Sequence, residues 1–152
     1  MQTATILAGG ASRRMGRDKA NLEVDGLPLL ERTAALAQAA GLPVLIVGRS
    51  RPADWPLDAV HFVEDTQPGR GPLGGLHTAM TQAEGSILLI ACDMPRLSAD
   101  ALRWLMAEGQ SERAGEHGLI TINAGQWEPL FSVYTSHCLA LIEERMQQAC
   151  SA

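Results

Sequence analysis

The apolar residues of this chain fall into short runs separated by polar or glycine-rich stretches. TATILA at 3–8 is brief, partly β-branched and ended by Gly9-Gly10, as a strand buried on both faces would be. Runs of the same kind stand at 44–47 (VLIV), 59–63 (AVHFV), 86–91 (SILLIA), 118–121 (GLIT) and 130–134 (LFSVY). The segment 29–40, LLERTAALAQAA, is instead rich in Ala and Leu and is stopped by Gly41 and Pro43, which predicts a helix. Further helices are predicted over 76–83 after a glycine-rich turn, behind Ser98 as N-cap through Leu102, Leu105 and Met106, and over 137–148. The stretch 110–118 is the most polar and reads as a surface loop. Apolar strands alternating with helices predict an α/β fold: three α/β/α layers, Rossmann-like, around a mostly parallel sheet. Ligands of such sheets bind beyond the carboxyl ends of the strands, so the residues directly after each run are the candidates for chemistry.

Composition narrows the classes. The 152 residues suit one domain, 1–152. Twelve Lys and Arg against 17 Asp and Glu give a net charge of −5, which argues against sequence-independent nucleic-acid binding. Aromatics at 4% leave little for stacking single-stranded bases. No apolar run approaches the roughly 18 residues a membrane helix needs. The start, Met1-Gln2-Thr3-Ala4, has no basic region ahead of an apolar stretch, so a cytoplasmic location is expected. Cys92, Cys138 and Cys150 show no CxxC spacing, and His61, His77, His117 and His137 share no ligand spacing, which disfavours disulfides and zinc.

Three post-strand segments carry chemistry. After the first run comes GGASRRMGRDKA, in which Gly9 and Gly10 let a backbone approach phosphate oxygens. Arg13, Arg14, Arg17 and Lys19 then place four cations within seven residues, and Lys19 is the only lysine of the chain. The segment is neither GxGxxG nor the Walker loop, because Ala20 follows Lys19 where Ser or Thr is required. A tight turn beside a solvated cationic face is the competing reading. After the third run, EDTQPGRGPLGGL offers Asp65 and four glycines in seven residues, either a loop wrapping a ligand or an ordinary helix-entry turn. After the fourth run, CDMP places Asp93 at a strand end, where a hard carboxylate suits Mg²⁺ bridging phosphates and where a turn-capping Asp is the rival. Taken together, the three describe equipment for a nucleoside triphosphate with Mg²⁺.

With these residues on the page, LAGGASRRMGRDKA, EDTQPGRGPLGGL, ACDMP and EPLFSVY resemble the molybdenum cofactor guanylyltransferases, over about residues 3–134. The resemblance implies a nucleotide-diphospho-sugar-transferase-like fold. It further implies transfer of GMP from GTP to the terminal phosphate of a molybdopterin-type molybdenum cofactor, with release of pyrophosphate. A molybdoenzyme or a cofactor-delivery protein would receive the product. The family's nucleotide-binding LAG maps onto Leu7, Ala8 and Gly9, followed by Gly10. Its loop lysine maps onto Lys19, the Asp before GPLGGL onto Asp65, and the metal- and nucleotide-binding Asp onto Asp93. Lys19, with Arg13 or Arg14, and Mg²⁺ on Asp93 would neutralise the triphosphate. The backbone of Leu7, Ala8 and the 71–75 loop, with Gly71 and Gly74, would read the guanine edge. The pterin is expected over the carboxyl-terminal half, near Glu128 and Pro129.

Two departures from the family pattern stand out. Gly48-Arg49 replaces the Asn that family members usually carry after the second strand, and relatives usually continue to an Asn-Thr-Pro-containing segment, so the chain is expected to be shortened at its carboxyl end. Alternatives are a cytidylyltransferase for the same cofactor, whose relatives more often read LAAG, a non-catalytic GTP- or pterin-binding or delivery protein, and a sugar-phosphate nucleotidyltransferase, which usually needs a longer chain.

Overall fold

The computed structural model describes residues 1–9 and 19–151. Four strands run parallel through its centre: β1 (Gln2–Leu7), β4 (Val44–Val47), β5 (Val60–Val63) and β6 (Ser86–Ala91). Two further strands extend the sheet: β8 (Gln126–Tyr134) lies antiparallel to β6, and β7 (Gly118–Asn123) lies antiparallel to β8 at the edge, giving the order β5-β4-β1-β6-β8-β7. A separate two-stranded ribbon, β2 (Glu23–Val24) and β3 (Leu27–Pro28), was not anticipated from the apolar pattern. Its two-residue turn, Asp25-Gly26, has φ of +55° and +79°, the mirror-image turn that matches strand twist and that an Asp-Gly pair signals. Ala124-Gly125 turns β7 into β8 in the same way, with φ of +48° and +79°.

Among the described residues, four helices cover the sheet: α1 (Leu29–Ala39), α2 (Gly71–Gln82), α3 (Ala99–Gln110) and α4 (Cys138–Cys150). Side chains alternate along the strands, so each strand feeds two cores. Ala4, Ile6, Ile46, Leu88 and Ile90 pack with Leu30, Ala34, Leu102 and Leu105 of α1 and α3. Leu45, Val47, Ile87 and Leu89 pack on the opposite face with Leu76, Ala79, Ile142 and Met146 of α2 and α4. The three layers and the mostly parallel sheet are thus present. Ser98 caps α3 as expected, its hydroxyl accepting from the amide of Ala101 at 3.1 Å.

One element differs in kind from the expectation. The glycines of GPLGGL do not form a loop ahead of a short helix; α2 already begins at Gly71. Pro72 in the first turn has the φ a helix needs and lacks only an amide that would have no partner there. Gly74 and Gly75 are buried in the helix because it lies against its neighbours. A Cβ on Gly74 would stand 2.5 Å from the carbonyl oxygen of Gln67, and one on Gly75 2.9 Å from Leu7.

Candidate nucleotide site

The parallel register brings the strand ends level. Leu7 pairs with Val47 on one side and Ala91 on the other, and Val47 pairs with Val63. Ala8-Gly9, Gly48-Arg49, Glu64-Asp65 and Cys92-Asp93 therefore emerge at one edge of the sheet. From β1 the chain first builds outward through β4 and β5 and then returns to place β6 on the other side. That reversal opens a crevice at the carboxyl ends of β1 and β6, where open α/β sheets bind ligands.

A cavity of about 180 Å³ fills this crevice, lined by Leu7, Gly9, Gly48, Asp65, Gly71, Pro72, Gly75 and Asp93, with Leu130 of β8 closing one side. Of the residues named from sequence, Leu7, Gly9, Asp65, Gly71 and Asp93 thus share one wall. Gly74 does not reach it, being buried against the 65–67 turn, and Gly75 takes its place. Ala8 lies beneath the floor, 2% exposed. Gly10, Arg13 and Arg14 lie outside the described residues, and of Lys19 only the backbone is described, opening a 3-10 turn, Lys19–Asn21. Glu128 lines a separate hollow of about 420 Å³ with Trp104, Ile122 and Phe131, on the side of α3, and Pro129 is exposed.

Local chemistry holds each wall in place. Gly9 and Gly48 meet back to back: a Cβ on Gly48 would stand 2.7 Å from the amide nitrogen of Gly9, and Gly48 has φ +103°. The departure at Arg49 has a structural use, since its Nε and Nη2 donate to the carbonyl oxygen of Ala8 at 3.0 and 2.8 Å and brace the end of β1. Asp65 is held from two directions. Its Oδ1 accepts from the amide of Gln67 at 2.8 Å, an Asx turn, and from the hydroxyl of Thr78 at 3.0 Å. Thr78 is fully buried in α2 and accepts from the amide of Thr66 at 3.0 Å, so one hydroxyl joins the post-β5 turn to the helix.

Thr78 escaped the sequence reading, although a signal existed. It lies four residues after Gly74 on the inward face of α2, and a polar residue among buried positions needs a partner.

The walls present two carboxylates and the amino-terminal end of α2, where no side chain caps the first turn. Helix amino termini attract anions through unpaired amides and the aligned peptide dipoles. No group of three or more His, Cys, Asp or Glu that could hold a metal occurs among the described residues. A divalent cation here would be held by Asp93, with Asp65 on the same wall, and would complete its shell with phosphate oxygens and water. That donor set, one or two carboxylates plus phosphate, suits a hard cation such as Mg²⁺. The site can accordingly hold a phosphorylated ligand through a cation and a helix terminus together.

Known proteins carry the same architecture. The family model described as "MobA-like NTP transferase domain" matches residues 4–151. A protein of Pelotomaculum thermopropionicum named "probable molybdenum cofactor guanylyltransferase" is 36% identical over 148 residues, covering 95% of this chain and 69% of that protein. The "molybdenum cofactor guanylyltransferase" of Xanthomonas euvesicatoria is 41% identical over 110 residues, 71% of this chain and 55% of its own. Among solved structures, the molybdopterin-guanine dinucleotide biosynthesis protein A of Archaeoglobus fulgidus superposes with a TM-score of 0.73 at 28% identity, over 98% of this chain and 74% of that one.

Proposed function

The chain belongs to the MobA-like NTP transferase family, and from that premise we propose that it transfers GMP from GTP to the terminal phosphate of a molybdopterin-type molybdenum cofactor, within one domain spanning 1–152 and in the cytoplasm. Pyrophosphate leaves, and the product is a guanine dinucleotide cofactor. The observation that carries this reading is the meeting of Asp65, Asp93 and the amino terminus of α2 on one cavity at the strand ends. Two carboxylates facing a polyanion would repel it, so their presence on that wall fits a cation held between protein and phosphate.

The acceptor phosphate is already a nucleophile, so the chain's residues chiefly position and neutralise. In the proposed step its oxygen forms a bond to the α-phosphorus of GTP as the bond to the β-phosphate oxygen breaks. Asp93 would hold Mg²⁺, which would supply positive charge to offset that of the triphosphate. Thr78 and the Gln67 amide orient Asp65. The first turn of α2 directs its amides at phosphate oxygens. Lys19, with Arg13 or Arg14, supplies further positive charge from the segment after Gly9. Arg49 braces the carbonyl of Ala8 and so fixes the approach of Gly9 to the ligand.

The test is release of pyrophosphate from GTP, CTP and ATP in the presence of the pterin cofactor and Mg²⁺. GTP is expected to be strongly preferred, and Lys19→Ala is expected to abolish turnover. Equal use of CTP would move the assignment to a cytidylyltransferase. Tight GTP binding without pyrophosphate release would make the chain a binding or delivery protein.

A further inference from the structure

Arg70 occupies the residue before α2, yet its side chain turns away from the cavity. Its Nη1 donates to the carbonyl oxygen of Met146 at 2.8 Å, and its Nη2 donates to Sγ of Cys150, both in the last turns of α4. The backbone on either side of Arg70 is permissive, with Gly69 at φ +82° and Gly71 at φ +59°. No atom beyond the chain neighbours and the helix's own backbone lies within 4 Å of where a Cβ on either glycine would stand, so neither glycine is itself held by a neighbouring side chain, and the contacts at this corner are made by Arg70, whose Cβ lies close to Gly74. Two left-handed glycines around one residue allow many conformations, and a single one persists only when something outside the corner selects it. The side chain of Arg70 meets that need. The consequence reaches the cavity, because Gly71 and Pro72, which follow directly, form its wall.

We propose that Arg70 is a positioning residue of the nucleotide site, and that the last turns of α4 are an arm of that site although they touch no ligand. The guanidinium is suited to this because its planar fork reaches two acceptors from one anchor, which an ammonium cannot reproduce. The His77 and Glu143 side chains, 3.3 Å apart, tie α2 to α4 about two turns further along, so Arg70 governs the first turn of α2 and not the docking of the whole helix. This rests on the nucleotide-site reading for its functional meaning, while its structural content can be read without nucleotide.

The experiment compares wild type, Arg70→Ala and Arg70→Lys by amide hydrogen exchange without ligand, followed by GTP titration with Mg²⁺. The informative amides are Gly75 and Leu76, whose i−4 acceptors in α2 are the carbonyls of Gly71 and Pro72. Losing two hydrogen bonds is expected to speed their exchange roughly 5–30-fold in Arg70→Ala. Exchange in β1 and β6 should stay unchanged, Arg70→Lys should recover part of the protection, and GTP affinity should fall by a similar factor. Unchanged exchange at Gly75 and Leu76, or an equal rise throughout the molecule, would overturn the proposal. Failure of the wild type to bind GTP would overturn the nucleotide reading and leave the exchange result to decide the anchoring role.

Discussion

Replacing Thr78 by Val is the most direct test of how the site is built. The two side chains have nearly the same shape, so the change removes a hydroxyl and little volume. Thr78 is 0% exposed, and its Oγ1 accepts from the amide of Thr66 at 3.0 Å while its one proton is placed for Asp65 Oδ1 at 3.0 Å or the Gly74 carbonyl at 3.1 Å. Valine leaves the Thr66 amide without that acceptor, a loss of about 1–3 kcal/mol, and deprives a carboxylate of a donor worth about 1.5–3 kcal/mol. Asp65 is half-buried and Thr66 exposed, so water recovers part of both amounts, and a net cost of about 2–3 kcal/mol is expected. For a chain of this size that lowers Tm by about 5–10 °C. Thr33→Val is the internal control. Thr33 is equally buried, but its hydroxyl only bonds back to the Leu29 carbonyl at 2.8 Å within α1, and its removal should cost under about 1 kcal/mol. Urea unfolding of both variants gives the comparison, and GTP titration should show roughly tenfold weaker binding for Thr78→Val alone, the size of one hydrogen bond to a charged group. Equal destabilisation by the two substitutions would refute the reasoning, because the bridging role of Thr78 would then have no energetic content.

Other expectations follow from the same geometry. Gly48→Ala should cost about 3 kcal/mol or more in thermal unfolding, combining a left-handed φ with overlap on the Gly9 backbone, whereas Gly26→Ala, with open space around it, should cost only about 1–2 kcal/mol. Asp93→Ala should leave the melting temperature near that of wild type, since the side chain is exposed, while lowering pyrophosphate release about 100-fold or more. Burial pushes the Cys138 thiol above its usual value of 9.0. The folded state therefore keeps that proton longer than the unfolded one, and its contribution is intact below pH 9 and lost as pH rises through the raised value. Urea midpoints should fall on the alkaline side and fall less in Cys138→Ala; Tyr134, raised from 10.0 by burial and the neighbouring Cys138, adds a loss of the same sign at still higher pH. Cys150 is the one exposed cysteine, so a thiol reagent should modify one site rapidly in the native protein and three after unfolding.

The architecture was legible because burial imposes local periods. A strand covered on both faces must be apolar throughout, as SILLIA is, and α1 and α3 announce themselves by helical spacing, a terminating Gly41 and the Ser98 cap. The candidate carboxylates were legible too, because Asp65 and Asp93 directly follow apolar runs and strand ends face the crevice. What the chain order concealed was which groups share a wall. GPLGGL looks like a loop because glycine usually breaks helices, but here the missing side chains let α2 lie against Gln67 and Leu7. Nothing local distinguishes a glycine required by a turn from one required by a neighbour distant in sequence.

By itself the sequence settled the order of the six sheet strands and four helices, though not the β2–β3 ribbon or the start of α2, and the chemical types available at each strand end, since these depend on propensity and on periodicity within a few residues. Only the tertiary structure decided that Gly75 and not Gly74 faces the cavity, that Arg49 braces Ala8, that Thr78 holds Asp65 and that Arg70 reaches α4. Those hydrogen bonds join residues 13 to 80 positions apart. They exist because hydrogen-bonding groups left partly or wholly out of water must find partners wherever the packed layers happen to bring them.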